Sequence, residues 1–158
     1  MVFLKFIPTM TTGVVQTFGR FSRLVNPGLA VYVPIVQKIT PISNRLQEND
    51  VPLQVRTKDN VLPSMDVRLQ FSIRPEDTER AFFEMADPVG QMRTYTGNVV
   101  RHKASDLTLD QLYESQSEIE VAILEEVAPK MKRGGFTVES AQVLDICPPK
   151  DVLSAMNE

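Results

Sequence analysis

The segment Ser64–Arg74 constrains the fold more than any other part of this sequence. Its apolar members are Met65, Val67, Leu69, Phe71 and Ile73, and they alternate with the polar residues Ser64, Asp66, Arg68, Gln70, Ser72 and Arg74. Successive side chains of a β-strand point to opposite faces, so this pattern predicts a strand with one buried and one wet face. The segment Val51–Arg56 precedes it across the polar turn Thr57-Lys58-Asp59-Asn60. Together they predict an antiparallel β-hairpin that is solvated on one side.

The residues before this hairpin predict further strands. The apolar start, Met1–Ile7, is expected to be a first strand, and Gly13–Phe21 a second. In Asn26-Pro27-Gly28, proline presets φ and glycine supplies φ > 0, which favours a type II turn. Two short strands are then expected at Leu29–Val33 and Val36–Ile42, with Pro41 placing the latter at a sheet edge or bend.

The residues after the hairpin are helical in pattern. Acids beside Pro75 favour a short helix over Thr78–Met85. Asp87-Pro88 pairs an N-cap with proline at the first helical position, and the helix it begins is expected to run to about His102. The apolar stripe predicted for that helix consists of Val89, Met92, Thr96 and Val99.

A third helix is expected to begin at Thr108, where Gln111 can complete a capping box. Its buried face is predicted to hold Leu112, Ile119, Ile123 and Val127. Pro129 should kink or shorten it, and Gly134-Gly135 should end it. A last strand over Phe136–Cys147, bulged near Ser140–Ala141, and a final helix over Lys150–Glu158 follow.

Residues with reactive side chains are few. The chain has one histidine, His102, and one cysteine, Cys147, whereas a zinc site needs three or four nitrogen or sulfur ligands. No G-x-S-x-G, P-loop or G-x-G-x-x-G motif is present. We expect His102 to be solvated near a helix end and Cys147 to be a small buried hydrophobe. The sequence therefore predicts no catalytic residue, no metal and no cofactor, and a binding or assembly module rather than an enzyme.

Charge is distributed unevenly along the chain. The first 45 residues hold five cations and no acid, so the rest carries a formal charge of −8 within the overall −3. Such asymmetry suggests that the N-terminal part faces an anionic partner. The partner could be an anionic lipid surface or nucleic acid, or the cations could simply be solvated. The net negative charge of the whole chain and the absence of tryptophan disfavour nucleic acid. The residues expected at a lipid surface are Phe3, Leu4, Lys5, Phe6, Ile7, Arg20 and Arg23.

Several motifs, in order, resemble the stomatin/prohibitin/flotillin (SPFH, or Band 7) superfamily, particularly its stomatin-like and plant hypersensitive-induced-reaction members. The motifs that resemble it are Val14-Val15-Gln16-Thr17-Phe18-Gly19-Arg20-Phe21, Asn26-Pro27-Gly28-Leu29, Thr57-Lys58-Asp59-Asn60-Val61, Leu107-Thr108-Leu109-Asp110-Gln111-Leu112, and Asp145-Ile146 with Pro148 and Ala155-Met156. The stretch 114–118 departs from the family pattern, which usually has an arginine and acids there.

The resemblance implies an α+β fold with a curved, largely antiparallel sheet and about three packed helices. It implies one domain over residues 1–147, with a β-rich part to about residue 74 and a part from residue 75 that contains the helices and the last strand. Residues 148–158 would begin a C-terminal helix, which members of the family usually continue into a coiled coil. It also implies a non-enzymatic, peripheral or monotopic membrane scaffold facing the cytosol. That scaffold would self-associate into rings, organise lipid microdomains and regulate membrane proteases or channels. The alternative is a soluble interaction or cage-forming module without lipid contact.

Overall fold

The computed structural model describes residues 1–151 and confirms an α+β fold with antiparallel strand pairing. Lys150 and Asp151 are helical, and the rest of the final helix predicted over Lys150–Glu158 lies outside the described residues. The strands are β1 (Phe3–Ile7), β2 (Thr11–Thr17), β3 (Arg20–Val25), β4 (Gly28–Tyr32), β5 (Gln37–Ser43), β6 (Gln47–Gln54), β7 (Ser64–Ser72) and β8 (Thr137–Cys147). The α-helices are α1 (Thr78–Phe83), α2 (Pro88–Ser105), α3 (Leu109–Glu114) and α4 (Gln116–Arg133).

The described strands form three sheets, and the chain divides into two compact units. The first unit comprises Met1–Gln47, Ser72–Ala86 and Lys132–Thr137. It contains the two-stranded sheet β1-β4 and the sheet β3-β2-β5. The second unit comprises Glu48–Phe71, Asp87–Met131 and the chain from Val138 onward, and it contains the sheet β6-β7-β8 with α2, α3 and most of α4.

The segment Gly13–Phe21 is a hairpin rather than the single strand expected from its composition. Thr17 pairs with Arg20, and both residues between them have positive φ, 50° at Phe18 and 78° at Gly19. Positive φ at both central residues is the mark of a type I′ turn, whose twist suits a two-residue hairpin. The single strand predicted here was wrong, because Phe18 adopts a positive φ that phenylalanine does not favour.

The turn predicted at Asn26-Pro27-Gly28 is a bend. Gly28 has the expected positive φ, but its value of 133° is far from that of a type II turn, and the residue already pairs with Ile7. The strand predicted at Val36–Ile42 is confirmed as β5, and its Pro41 lies on an edge strand, as expected.

A buried hydrogen-bond network around Asn44 joins four segments of the first unit. The Thr12 hydroxyl donates to Asn44 Oδ1 at 2.6 Å, and Asn44 Nδ2 donates to the Ile73 carbonyl at 2.7 Å. The backbone N–H of Asn44 donates to Met10, and Thr78 lies within 3.4 Å of the amide nitrogen. The network thus links β2, the end of β5, the end of β7 and the start of α1.

The alternating strand, which runs from the second unit to the edge of the first, and its hairpin are as predicted. All five apolar side chains of the alternating pattern, from Met65 to Ile73, are buried. Asn60 N–H donates to the Thr57 carbonyl at 3.0 Å, which closes the predicted polar turn. Hydrogen bonds join two helices to β8. The Tyr113 hydroxyl of α3 donates to the Ile146 carbonyl at 2.9 Å, and the Val143 N–H donates to the Glu120 carboxylate of α4 at 2.8 Å.

The helix starts are as predicted, with the Asp87 cap and the Thr108–Gln111 capping box both formed. The buried stripe of α2 was wrong in part, because Val100 and Ala104 are buried whereas Val89 is exposed and Val99 half-buried. The third predicted helix is two helices, interrupted at Ser115. Its second part is not shortened by Pro129 but continues to Arg133.

We predict that Asn44→Ala destabilises the protein by about 2–3 kcal/mol, because it leaves buried partners such as the Thr12 hydroxyl unsatisfied. The measurement is urea unfolding. The control is Asn98→Ala on the exposed side of α2, which should change stability by no more than ~0.5 kcal/mol. Equal midpoints for the two variants would contradict a structural role for the network.

Candidate functional site

The β1–β4 ribbon exposes an uninterrupted apolar face. Leu4 pairs directly with Val31, and Phe6 with Leu29, so these four side chains share one face of the two-stranded sheet. All four are exposed, Phe6 by 80% and Leu4 by 61%. We call this set, Leu4, Phe6, Leu29 and Val31, the outer face of the ribbon. A contiguous apolar surface of this kind is typical of an interaction site.

The opposite face of the ribbon packs against the core of the first unit. Ile7 is only 4% exposed and packs in a buried cluster with Val15, Ala30 and Ile39. Its assignment to a lipid surface was therefore wrong, because alternation along β1 places it opposite Phe6. Lys5 is half-buried on the same side and its amine donates to the Ile39 carbonyl at 3.3 Å, so it too is directed inward. Phe3 shares that parity but remains exposed at the end of the strand.

Three cations are exposed on the sheet β3-β2-β5 of the same unit. Arg20 and Arg23 are exposed on β3, and Lys38 is exposed on β5. Arg23 donates to the Val31 carbonyl at 2.8 Å, which holds a guanidinium beside the outer face. In the part of the chain that the structure describes, no ion pair engages these three side chains. They therefore remain available to an anionic surface.

The solvated face of β6 and β7 shows what an ordinary wet sheet face in this chain looks like. Arg68 forms two hydrogen bonds with Asp50, at 2.7 and 3.0 Å, and Gln70 donates to Glu48 at 3.0 Å. The hydrogen bond from Arg68 holds the pKa of the Asp50 carboxyl below its usual range. The cross-strand neighbours on this face of β6 and β7 are all polar, whereas the cross-strand pairs on the outer face of the ribbon are all apolar.

The reactive side chains are not assembled into a site. His102 is exposed near the end of α2, as predicted. Cys147 is exposed, so its assignment as a buried residue was wrong; Ile146 occupies the inward position at that end of β8. Within residues 1–151, no three metal-ligating side chains cluster, and no helix has the length and hydropathy to span a bilayer.

The model of the SPFH domain / Band 7 family matches residues 5–158 of this chain. The chain belongs to this family. It is 32% identical over 154 residues to hypersensitive-induced response protein 4 of Arabidopsis thaliana, with 96% of this chain and 53% of that protein covered. It is 26% identical to human stomatin-like protein 2, mitochondrial, with 96% of this chain and 42% of that protein covered. It therefore spans about half the length of these relatives.

The resemblance drawn from the ordered motifs is thus confirmed. SPFH proteins of the stomatin-like and hypersensitive-induced response kinds are in general membrane-associated scaffolds without enzymatic activity.

Sequence reasoning found only half of the outer face of the ribbon. Leu29 and Val31 were assigned to a strand but not to the surface, because Leu29–Val33 is apolar at every position and shows no alternation. Only the pairing register, with Leu4 opposite Val31, shows which side chains of β4 share the side of Phe6.

We predict that Ile7→Asp destabilises the protein by at least ~3 kcal/mol, since it buries an unpaired charge in the core. Leu4→Asp, which makes the same chemical change three positions earlier on the exposed face, should change stability by less than ~1 kcal/mol. Thermal unfolding of both variants measures the difference. Comparable losses for the two would show that Leu4 is also buried.

Proposed function

We propose that this SPFH domain is the membrane-proximal part of an oligomeric scaffold and that the outer face of its β1–β4 ribbon lies on the lipid surface. The observation that supports this proposal is the set of four exposed apolar side chains in two adjacent cross-strand pairs. Arg20, Arg23 and Lys38 would meet anionic headgroups at its margin. Association would be peripheral, with aliphatic and aromatic groups at the level of the headgroups.

The outer face by itself would bind weakly. Fully burying one large apolar side chain is worth about 1.5–3 kcal/mol, so four partly exposed ones supply on the order of 4–6 kcal/mol. A free energy of about −4 kcal/mol corresponds to a millimolar dissociation constant. Stable attachment would therefore require several copies acting together, which supports a self-associating protein.

The cations would add an electrostatic contribution that depends on salt. Each Lys or Arg close to an anionic leaflet contributes about 1 kcal/mol, and the attraction decays over a Debye length of about 8 Å at physiological ionic strength. Since residues 1–45 contain no acid, nothing within this segment opposes that attraction.

As a scaffold, the domain would organise lipid microdomains and regulate membrane proteins such as proteases or channels. Its partners in this proposal are copies of itself, the lipid surface and such membrane-protein clients, without nucleic acid, and its location is the cytosolic side of a membrane. A soluble interaction or cage-forming module is the second candidate, because a protein partner could cover the same four side chains.

We predict that the protein co-sediments with vesicles containing phosphatidylserine and that Leu4→Asp with Phe6→Asp reduces the bound fraction at least tenfold. The double variant replaces two apolar contacts by charges that the leaflet repels, which removes well over the ~1.4 kcal/mol that corresponds to tenfold. Arg20→Glu should weaken binding several-fold at low salt and much less at high salt.

The control is Leu62→Asp with Val121→Asp, which adds the same charge at two exposed apolar positions of the second unit. Binding that is lost equally in both double variants would point to net charge rather than to the outer face. A wild-type protein that stays in the supernatant at every salt concentration would favour the soluble module.

A further inference from the structure

Phe18 occupies a position that the fold does not favour. It lies in the β2–β3 turn with φ of 50°, a left-handed conformation that suits asparagine or glycine and is unusual for a bulky residue. Its side chain is 79% exposed, so burial within the chain does not offset that strain. An exposed aromatic residue in a strained turn suggests a role outside folding.

Ile35 lies beside this turn and is exposed even more fully, by 87%, in the loop between β4 and β5. The backbone N–H of Phe18 donates to the carbonyl of Val36 at 2.8 Å. That bond ties the turn to the loop, so the two apolar side chains project from neighbouring tips. We call Phe18 and Ile35 the apolar tip.

Two cations flank the apolar tip. Arg20 directly follows the turn. Lys38 lies on β5 opposite Gln16, which is two residues before Phe18 on β2. The carboxylates of this unit, Glu76, Asp77, Glu79 and Glu84, lie within or beside α1, whose Phe83 ring packs edge-on against Phe21 of β3 with the ring centroids 5.9 Å apart. Asp77 is paired with Arg80 there.

We propose that the apolar tip inserts between the lipids of an anionic bilayer while Arg20 and Lys38 contact the headgroups. This inference rests on the proposed membrane association and adds a second contact to it, distinct from the outer face of the ribbon. A bilayer is the occupant that fits, because two neighbouring exposed apolar side chains bury readily in a deformable apolar phase and the flanking charges complement its anionic surface.

The chain contains no tryptophan, so Phe18→Trp creates a single fluorescent probe at the apolar tip. On addition of phosphatidylserine-containing vesicles, its emission should shift to the blue and be quenched by brominated acyl chains. Leu62→Trp, at an exposed loop position of the second unit, is the matched control and should show neither effect.

A second variant tests the contribution to binding. Phe18→Asn places a turn-favoured residue at the same φ, so it should fold at least as well as wild type, and it should bind these vesicles roughly tenfold less tightly. Co-sedimentation measures the loss, and circular dichroism verifies the fold.

The outcomes separate this inference from the proposed function. If Phe18→Trp shows no blue shift, or responds no more than Leu62→Trp, while the protein still binds vesicles through Leu4 and Phe6, the insertion of the tip is wrong and membrane association stands. If the wild-type protein does not bind vesicles at all, both are wrong.

Discussion

The buried hydrogen bonds of Asn44 join four segments of the first unit. It accepts from Thr12 and donates to the Ile73 carbonyl, while the backbone N–H of Asn44 donates to Met10. A carboxamide both donates and accepts hydrogen bonds, so the single buried side chain that follows β5 can bond to two other segments at once. Without these bonds, several buried polar groups would be left unpaired, which costs more than the net gain of a typical hydrogen bond. The network fixes the edge of the sheet β3-β2-β5 on which the core cluster rests.

That core determines which face of the ribbon is free. A two-stranded sheet is marginal in water unless one of its faces packs against something. Ile7 and Ala30 provide that packing through Val15 and Ile39, so the inner face is used by folding. Leu4 and Phe6 lie on the face of β1 opposite to Ile7, and they are exposed rather than packed in the core of the first unit. The apolar character of the outer face therefore cannot be explained by the stability of that unit.

The sequence predicted features that are local and missed features that depend on pairing. The alternation at Met65–Ile73, the Asp87 cap and the capping box at Thr108 depend on neighbouring residues, and all three are confirmed. The hairpin inside Gly13–Phe21 was missed because a phenylalanine at positive φ contradicts its own propensity. Ile7 was misplaced, and Leu29 with Val31 overlooked, because an apolar strand does not show which side is buried until its register is known.

Two of the features that local rules failed to predict lie in the first unit. The exposed apolar pairs of the ribbon and the strained, exposed Phe18 each carry a cost that the unit does not recover through its own packing. On the wet sheet face of the second unit, by contrast, Arg68 and Asp50 form an ion pair. Departures from local consistency are expected where function rather than folding selects the residue. The ribbon and Phe18 both lie within residues 1–45, which contain no acid, so a partner that is both anionic and apolar, as a bilayer is, would complement both features.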